Sequence, residues 1–214
     1  MKKILQSTVQ IAFLILFIFL FVSGKVQLWM GLFLVGIITS FIFGRIYCGW
    51  ICSINTGMNG IIWIKKKLHI KSLRIPRFLT NPWVRYAALG LFVALFIFVM
   101  VTGKKLPVLP ALFLIGVLLT FLFPEELWHR NLCPYGSILS LSSLKTKHTM
   151  NIAEDKCTNC GLCKRVCPAH AIEKKENQHK IIKNECIVCM ECSRSCRQNA
   201  ISYRRKDESY GDSN

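Results

Sequence analysis

The chain has 214 residues, 52% of them hydrophobic and 18% charged, a balance that excludes an intrinsically disordered polymer. Thirteen Gly and seven Pro are too few for a collagen-like or linker chain, whereas 11 Cys are too many for packing residues alone. The formal net charge of +17 is uneven. Against the many Lys and Arg of residues 1–150 stand only Glu125 and Glu126, so the basic excess belongs mainly to the apolar part of the chain.

Four apolar stretches organise that part: residues 4–22, 28–43, 83–101 and 106–123. Each approaches the roughly 20 residues that cross about 30 Å of hydrocarbon as a helix. None has a polar face of the kind a soluble core helix carries. The second is short unless Ile46 and Tyr47 extend it, and Arg85 sits at the edge of the third, where its side chain can snorkel. The first stretch, with Lys2 and Lys3 ahead and Ser23-Gly24 behind, also has the form of a cleavable leader. An internal repeat argues for its retention: a shift of 81 residues carries Cys52 onto Cys133, Cys48 onto His129, and the first two helices onto the last two. The expected fold is a membrane all-α part, four transmembrane helices as a tandem helical-hairpin repeat, followed by a small α+β part.

Orientation follows from the distribution of Lys and Arg. With both termini inside, the inner segments hold Lys2, Lys3, Arg45, Arg130 and the run from Lys65 to Arg85, while the outer loops hold Lys25, Lys104 and Lys105. The positive-inside rule therefore predicts a multi-pass membrane protein with N-in and C-in ends. The run Lys65, Lys66, Lys67, Lys71, Arg74, Arg77 and Arg85 has no acidic neighbour. It suits anionic membrane lipids, at about 1 kcal/mol per charge, and gives no cause to invoke nucleic acid. Trp29, Trp83 and Trp128 fall near helix ends, the place of interfacial anchors.

Residues 151–205 form the second expected domain, after a membrane domain of residues 1–150 and before a polar tail of residues 206–214. Here Cys157, Cys160, Cys163 and Cys167, followed by Pro168, have the spacing CxxCxxCxxxCP, and Cys186, Cys189, Cys192 and Cys196 repeat it 29 residues later. Eight thiolates so spaced suit two 4Fe-4S clusters: three on one tight turn hold three irons of a cube, and a remote fourth closes it. In the doubled pattern the fourth cysteine of each run serves the other cluster. Cluster 1 is thus expected at Cys157, Cys160, Cys163 and Cys196, and cluster 2 at Cys186, Cys189, Cys192 and Cys167. A reducing cytoplasmic side disfavours disulfides, and zinc sites rarely use the triple spacing.

Residues 152–203 resemble the bacterial two-cluster ferredoxins, down to Ala171-Ile172 and Ala200-Ile201 after the two runs. Arg197 stands where that family usually has proline. The segments Gly44-Arg45-Ile46-Tyr47-Cys48-Gly49-Trp50-Ile51-Cys52 and Arg130-Asn131-Leu132-Cys133-Pro134-Tyr135-Gly136 resemble the two CxxxCP motifs of the NapH-type membrane polyferredoxins. That resemblance implies electron transfer at the cytoplasmic face of a bacterial membrane, commonly involving quinol, with redox partner proteins. Neither motif is complete: Ser53 replaces the first proline and His129 the second motif's first cysteine.

Cys48, Cys52, His129 and Cys133 therefore have three readings: an additional metal or cluster site, small buried packing residues with an interfacial histidine, or a redox-active pair of Cys48 and Cys52. Glu125 and Glu126 read as helix-capping charges, with proton acceptance from quinol as the rival. His69, His148, His170 and His179 read as solvated. No phosphate loop, nucleophile elbow or dinucleotide fingerprint points to a nucleotide or flavin site, and no catalytic residue is assignable. An electron-transfer subunit is the leading expectation; a membrane metal reductase or metal-centre assembly factor, and an iron-sulfur redox sensor, are the alternatives.

Overall fold

A computed structural model describes residues 2–102, 107–175 and 178–205. Lys104, Lys105, the expected helix start at Leu106 and the expected tail from residue 206 lie outside the described residues. The chain is mostly helical, with a small strand-containing C-terminal region. Its helices are α1 (Lys2–Val22), α2 (Leu28–Phe43), α3 (Ile46–Trp50), α4 (Ser53–Lys67), α5 (Pro82–Thr102), α6 (Val108–Leu122), α7 (Glu125–Leu127), α8 (Pro134–Ser142), α9 (Leu162–Arg165) and α10 (Glu191–Ser195).

The four apolar stretches are α1, α2, α5 and α6. Lys3–Val22 and Pro82–Thr102, of 20 and 21 residues, are long and apolar enough to cross a membrane. The 16 residues of α2 and 15 of α6 rise only about 24 and 22 Å. No residue of α5 is buried, and α1 covers little beyond Gln6, Gln10 and Phe17. Apolar helices this uncovered are those of a membrane-associated protein rather than of a soluble core. Ile46 and Tyr47 do not extend α2: it stops because Gly44 takes φ +70°, the left-handed conformation that ends helices.

Two compact units divide these elements. The first comprises Met1–Leu32 and Trp50–Ser137. In it α4 runs along α6 and also meets α1. Close approach of α4 and α6 depends on missing side chains: a Cβ at Gly116 would lie 2.8 Å from Ile54 Cγ2, and one at Gly57 3.0 Å from Val117 Cγ2. Phe17 stacks on Phe113, centroids 5.5 Å apart, and meets Trp29 edge-on at 5.2 Å. Trp29 and Trp128 are each 3% exposed, which corrects their reading as headgroup anchors: their rings fill gaps between helices, and of these three only Trp83 is exposed. Lys65 is corrected likewise. It is buried, its Nζ donating to Ser72 Oγ at 2.7 Å and the Thr120 carbonyl at 3.0 Å, so it staples α4 to α6 instead of meeting lipid.

The second unit comprises Phe33–Gly49 and Ile138–Asn214. Strands β1 (His148–Ile152) and β4 (Ile201–Arg205) pair antiparallel, from His148 opposite Arg205 to Ile152 opposite Ile201. The domain boundary expected at residue 150 falls inside β1. A second antiparallel pair joins β2 (Ile172–Lys175) to β3 (Gln178–Ile181). Met150, Ile172, Ile181 and Ile201 close a small core around Cys163 and Cys192. The segment after α2 belongs to this unit. Thr146 Oγ1 donates to the Ile42 carbonyl at 3.0 Å, Tyr203 Oη to that of Phe43 at 3.0 Å, and His148 stacks between Phe43 and Tyr203. His148 is thus half-buried in a ring stack rather than solvated.

Candidate cluster-binding sites

The two cysteine runs fold into near-identical loops. Asn159 and Gly161 in the first have φ of 55° and 73°; Val188 and Met190, 29 residues on, have 54° and 62°, and His170 and Asn199 both have 50°. Left-handed residues at these points curl the backbone around a concavity, and α9 and α10 then begin after Gly161 and Met190. Asn and Gly accept such φ readily, while Val188 is β-branched and strained there, a kind of outlier that clusters at functional sites.

Each loop walls one cavity. The first, of about 390 Å³, is lined by Cys157, Cys160, Cys163 and Cys196 together with His179 and Arg197. The second is lined by Cys167, Cys186, Cys189 and Cys192 with apolar Met150, Ile172, Ile181 and Ile187. In each, three thiols of one run meet the fourth of the other. The repeat extends to hydrogen bonds: the Ala171 N–H donates to Cys167 Sγ at 3.3 Å and the Ala200 N–H to Cys196 Sγ at 3.4 Å. N–H donors aimed at sulfur favour thiolate over thiol. Burial acts the other way, pushing the Cys186, Cys189 and Cys192 thiols up to about 12. Without a cation these sulfurs stay protonated; iron supplies the compensating charge. Soft thiolates, four to a cavity, with N–H donors behind them fit 4Fe-4S groups.

The two sites have different surroundings. Cys160 is exposed, and Arg165 and Arg197 at the rim of the first cavity are exposed too. The second is closed by the α2–α3 segment: a Cβ on Gly49 would run into the Ile187 carbonyl and lie 3.2 Å from the Cys189 nitrogen. Arg45, fully buried, donates from Nη1 to the carbonyls of Asn184 (3.4 Å) and Glu185 (3.3 Å) and to Glu185 Oε2 (3.3 Å). Glu185 Oε1 also accepts from Ser140 Oγ at 3.3 Å. The guanidinium lies beside Cys48, whose thiol burial raises and the Arg45 charge partly lowers again.

The remaining sequence-derived residues are split between the units. Cys48 lies in the second, on α3; Cys52, His129 and Cys133 lie in the first. Cys52 (φ −62°, ψ 114°) precedes α4, and Cys133 (φ −76°, ψ 109°) precedes α8. Their carbonyls accept from the hydroxyls of Thr56 and Ser137, both at 3.2 Å, so the 81-residue repeat extends to this hydrogen bond. The Gly136 N–H donates to Cys133 Sγ at 3.3 Å, and Tyr135, held above its ordinary pKa mainly by burial, feels both Cys133 and Cys52. His129 is buried on a π-helical turn, Trp128–Leu132. Glu125 and Glu126 occupy the first turn of α7, as capping charges do. His179 is buried, 8% exposed, which corrects its solvated reading: it alternates inward on β3 between exposed Gln178 and Lys180. Sequence reasoning missed Arg45, Glu185 and His179 as site neighbours; the period-two alternation of β3 was the one available signal.

A pair of four-thiol cavities is the donor set of a ferredoxin-type iron-sulfur protein. Comparison with known families agrees. A 4Fe-4S binding domain matches twice, over residues 26–71 and 106–151, and a 4Fe-4S dicluster domain matches residues 149–208. The chain is 32% identical to an uncharacterised protein of Methanocaldococcus jannaschii over 70% of its own length and 62% of that protein. It is 29% identical to the methylamine utilization ferredoxin-type protein MauN of Methylobacillus flagellatus (58% and 48% covered) and 30% identical to the ferredoxin-type protein NapH of Haemophilus influenzae (58% and 47%). The chain is a ferredoxin-type 4Fe-4S protein similar to the NapH-type polyferredoxins. It spans about half to three-fifths of the length of these curated relatives. No solved structure matches it.

Proposed function

We propose that the chain is a multi-pass membrane electron-transfer subunit that carries two 4Fe-4S clusters and passes electrons between a membrane donor of the quinol type and a redox partner protein. All four apolar helices span, both ends lie on the cytoplasmic side with the cysteine-rich domain, and the Lys- and Arg-rich stretch after α4 meets anionic lipid. The observation that carries the reading is the crossed pair of cavities. Cys157, Cys160, Cys163 and Cys196 hold cluster 1, and Cys186, Cys189, Cys192 and Cys167 hold cluster 2. Bound there, the clusters supply one-electron redox chemistry. The chain's own residues supply the thiolates, the Ala171 and Ala200 N–H donors behind them, and the wall of Gly49 and Arg45 that keeps water from cluster 2.

Iron and acid-labile sulfide analysis of the anaerobically purified, detergent-solubilised protein, with an EPR-monitored redox titration of the same sample, tests this. About eight irons, eight sulfides and two reducible signals are expected. Clusters that do not change oxidation state with any donor would contradict it.

A second reading rests on Cys52 and Cys133, repeated thiols at helix starts with a buried Tyr135 and His129 in the same unit. These two thiols handle a metal ion, as a reductase or assembly factor requires. Metal release that depends on Cys52 or Cys133 and survives loss of the ferredoxin cysteines favours it.

A further inference from the structure

The 29-residue repeat makes the two cavities comparable position by position, and the comparison shows where they diverge. His179 in the wall of the first corresponds to Met150 in the wall of the second. Arg197 on the first corresponds to Pro168, and exposed Lys156 corresponds to Glu185, whose carboxylate is neutralised by Arg45. One cavity therefore has an imidazole and cationic residues around it, while the other has a thioether, aliphatic side chains and a closed ion pair.

His179 is the sharpest of these differences. Its side chain is more than nine-tenths buried, and its Nδ1 is buried with no hydrogen-bond partner. Nε2 sits 3.8 Å from the place a Cβ on Gly161 would occupy, so the ring lies against the turn between Cys160 and Cys163. A buried imidazole without a full set of partners costs stability unless something in the site engages it. Met150, 1% exposed, offers its counterpart site no N–H at all.

We infer that His179 is a potential-setting residue: its imidazole N–H serves the sulfur-rich group held by Cys157, Cys160, Cys163 and Cys196, and makes that site the more oxidising of the two. Adding an electron makes a thiolate-bound cluster more negative. N–H donors and nearby cations favour that extra charge, and apolar burial disfavours it. The electron shared by a once-reduced protein then rests at the His179 site, whose rim of Arg165 and Arg197 is also the solvent-exposed end. Met150 and the Gly49 wall make the other site the inner, more reducing one. This inference rests on the two-cluster reading above, and it concerns the order of the two potentials.

The test is an EPR-monitored redox titration of the full-length, cluster-loaded protein, with iron and sulfide counts on every sample. In the native chain two midpoints separate, and Cys160→Ser perturbs the higher one. His179→Met lowers the higher midpoint and leaves the other in place, whereas His179→Gln, which keeps an N–H donor, restores most of the gap. Met150→His raises the lower midpoint, an independent readout should His179→Met assemble poorly. A tenfold change in the partition of one electron between the sites corresponds to about 59 mV, well within the resolution of such titrations. Full iron content with midpoints that neither His179→Met nor Met150→His moves would overturn the inference alone. Iron and sulfide for a single cluster in the native chain would overturn the two-cluster reading, and this inference with it.

Discussion

Replacing Arg45 by Leu should loosen the loop that carries the second cysteine run, and the size of the effect can be worked from its surroundings. Arg45 is 0% exposed, and its Nη1 reaches Glu185 Oε2 at 3.3 Å and two loop carbonyls. Glu185 is itself buried, and its Oε1 also accepts from Ser140 Oγ at 3.3 Å. Removing the guanidinium takes the Arg45 charge away from a buried carboxylate, a change that costs about 3–5 kcal/mol at buried pairs. Each 1.4 kcal/mol is a factor of ten, so opening of the 182–188 segment should become about 100- to 4,000-fold more frequent.

Amide hydrogen exchange in that segment reads the opening directly and does not require reversible global unfolding. The double variant Arg45→Leu, Glu185→Leu removes both charges and should recover most of the protection, because an apolar pair avoids the desolvation cost. Exchange in Arg45→Leu that matches the native chain would refute the reasoning. A double variant as labile as the single one would show that packing volume, not charge, is what Arg45 contributes.

Three further outcomes follow from the geometry. Gly49→Ala places a methyl against the Ile187 carbonyl and should abolish or broaden the EPR signal of the Cys186 site while sparing that of the Cys157 site; Gly60→Ala, whose new Cβ meets nothing within 4 Å, should leave both spectra unchanged. Val188→Asn exchanges a β-branched residue at φ 54° for the one its repeat partner Asn159 already supplies; because Val188 is 2% exposed, burying the amide offsets the relieved strain of about 1–2 kcal/mol, and thermal loss of cluster absorbance should change little. His129→Ala combined with Cys133→Ala should leave the two ferredoxin-site midpoints in place, and metal analysis that falls below the native value would reveal a centre beyond the eight ferredoxin cysteines.

Spacing was enough to find the two loops because their chemistry is local: three thiols within seven residues must share one turn, and the turn dictates the left-handed residues at 159 and 161 and again at 188 and 190. Helices α1, α2 and α5 were legible within a residue or two because an unbroken apolar run has few alternatives. The short helices α3, α4 and α8 were not anticipated, since Ser53 to Lys67 mixes polar, small and basic residues and its helix is held by packing against α6. The burial of Lys65, Trp29 and His179 was equally hidden. Each of these side chains is amphipathic, and whether its polar end finds water or a partner depends on residues distant in the chain: Thr120 for Lys65, the α1 face for Trp29. The pairing of Arg45 with Glu185 spans 140 positions, and no periodicity in either segment announces it.

The antiparallel closure of β1 on β4 bears on how such a protein is made. Strand β1 leaves the ribosome more than fifty residues before its partner, and the last thiol lining the first cavity, Cys196, follows the other three by 33 positions or more. Neither binding pocket has a full complement of sulfurs while the chain is still short. The polypeptide must wait, its cysteines exposed, until β4 arrives. Cofactor delivery is therefore a late event in biogenesis, and a chain stalled before Cys196 would be an empty apoprotein.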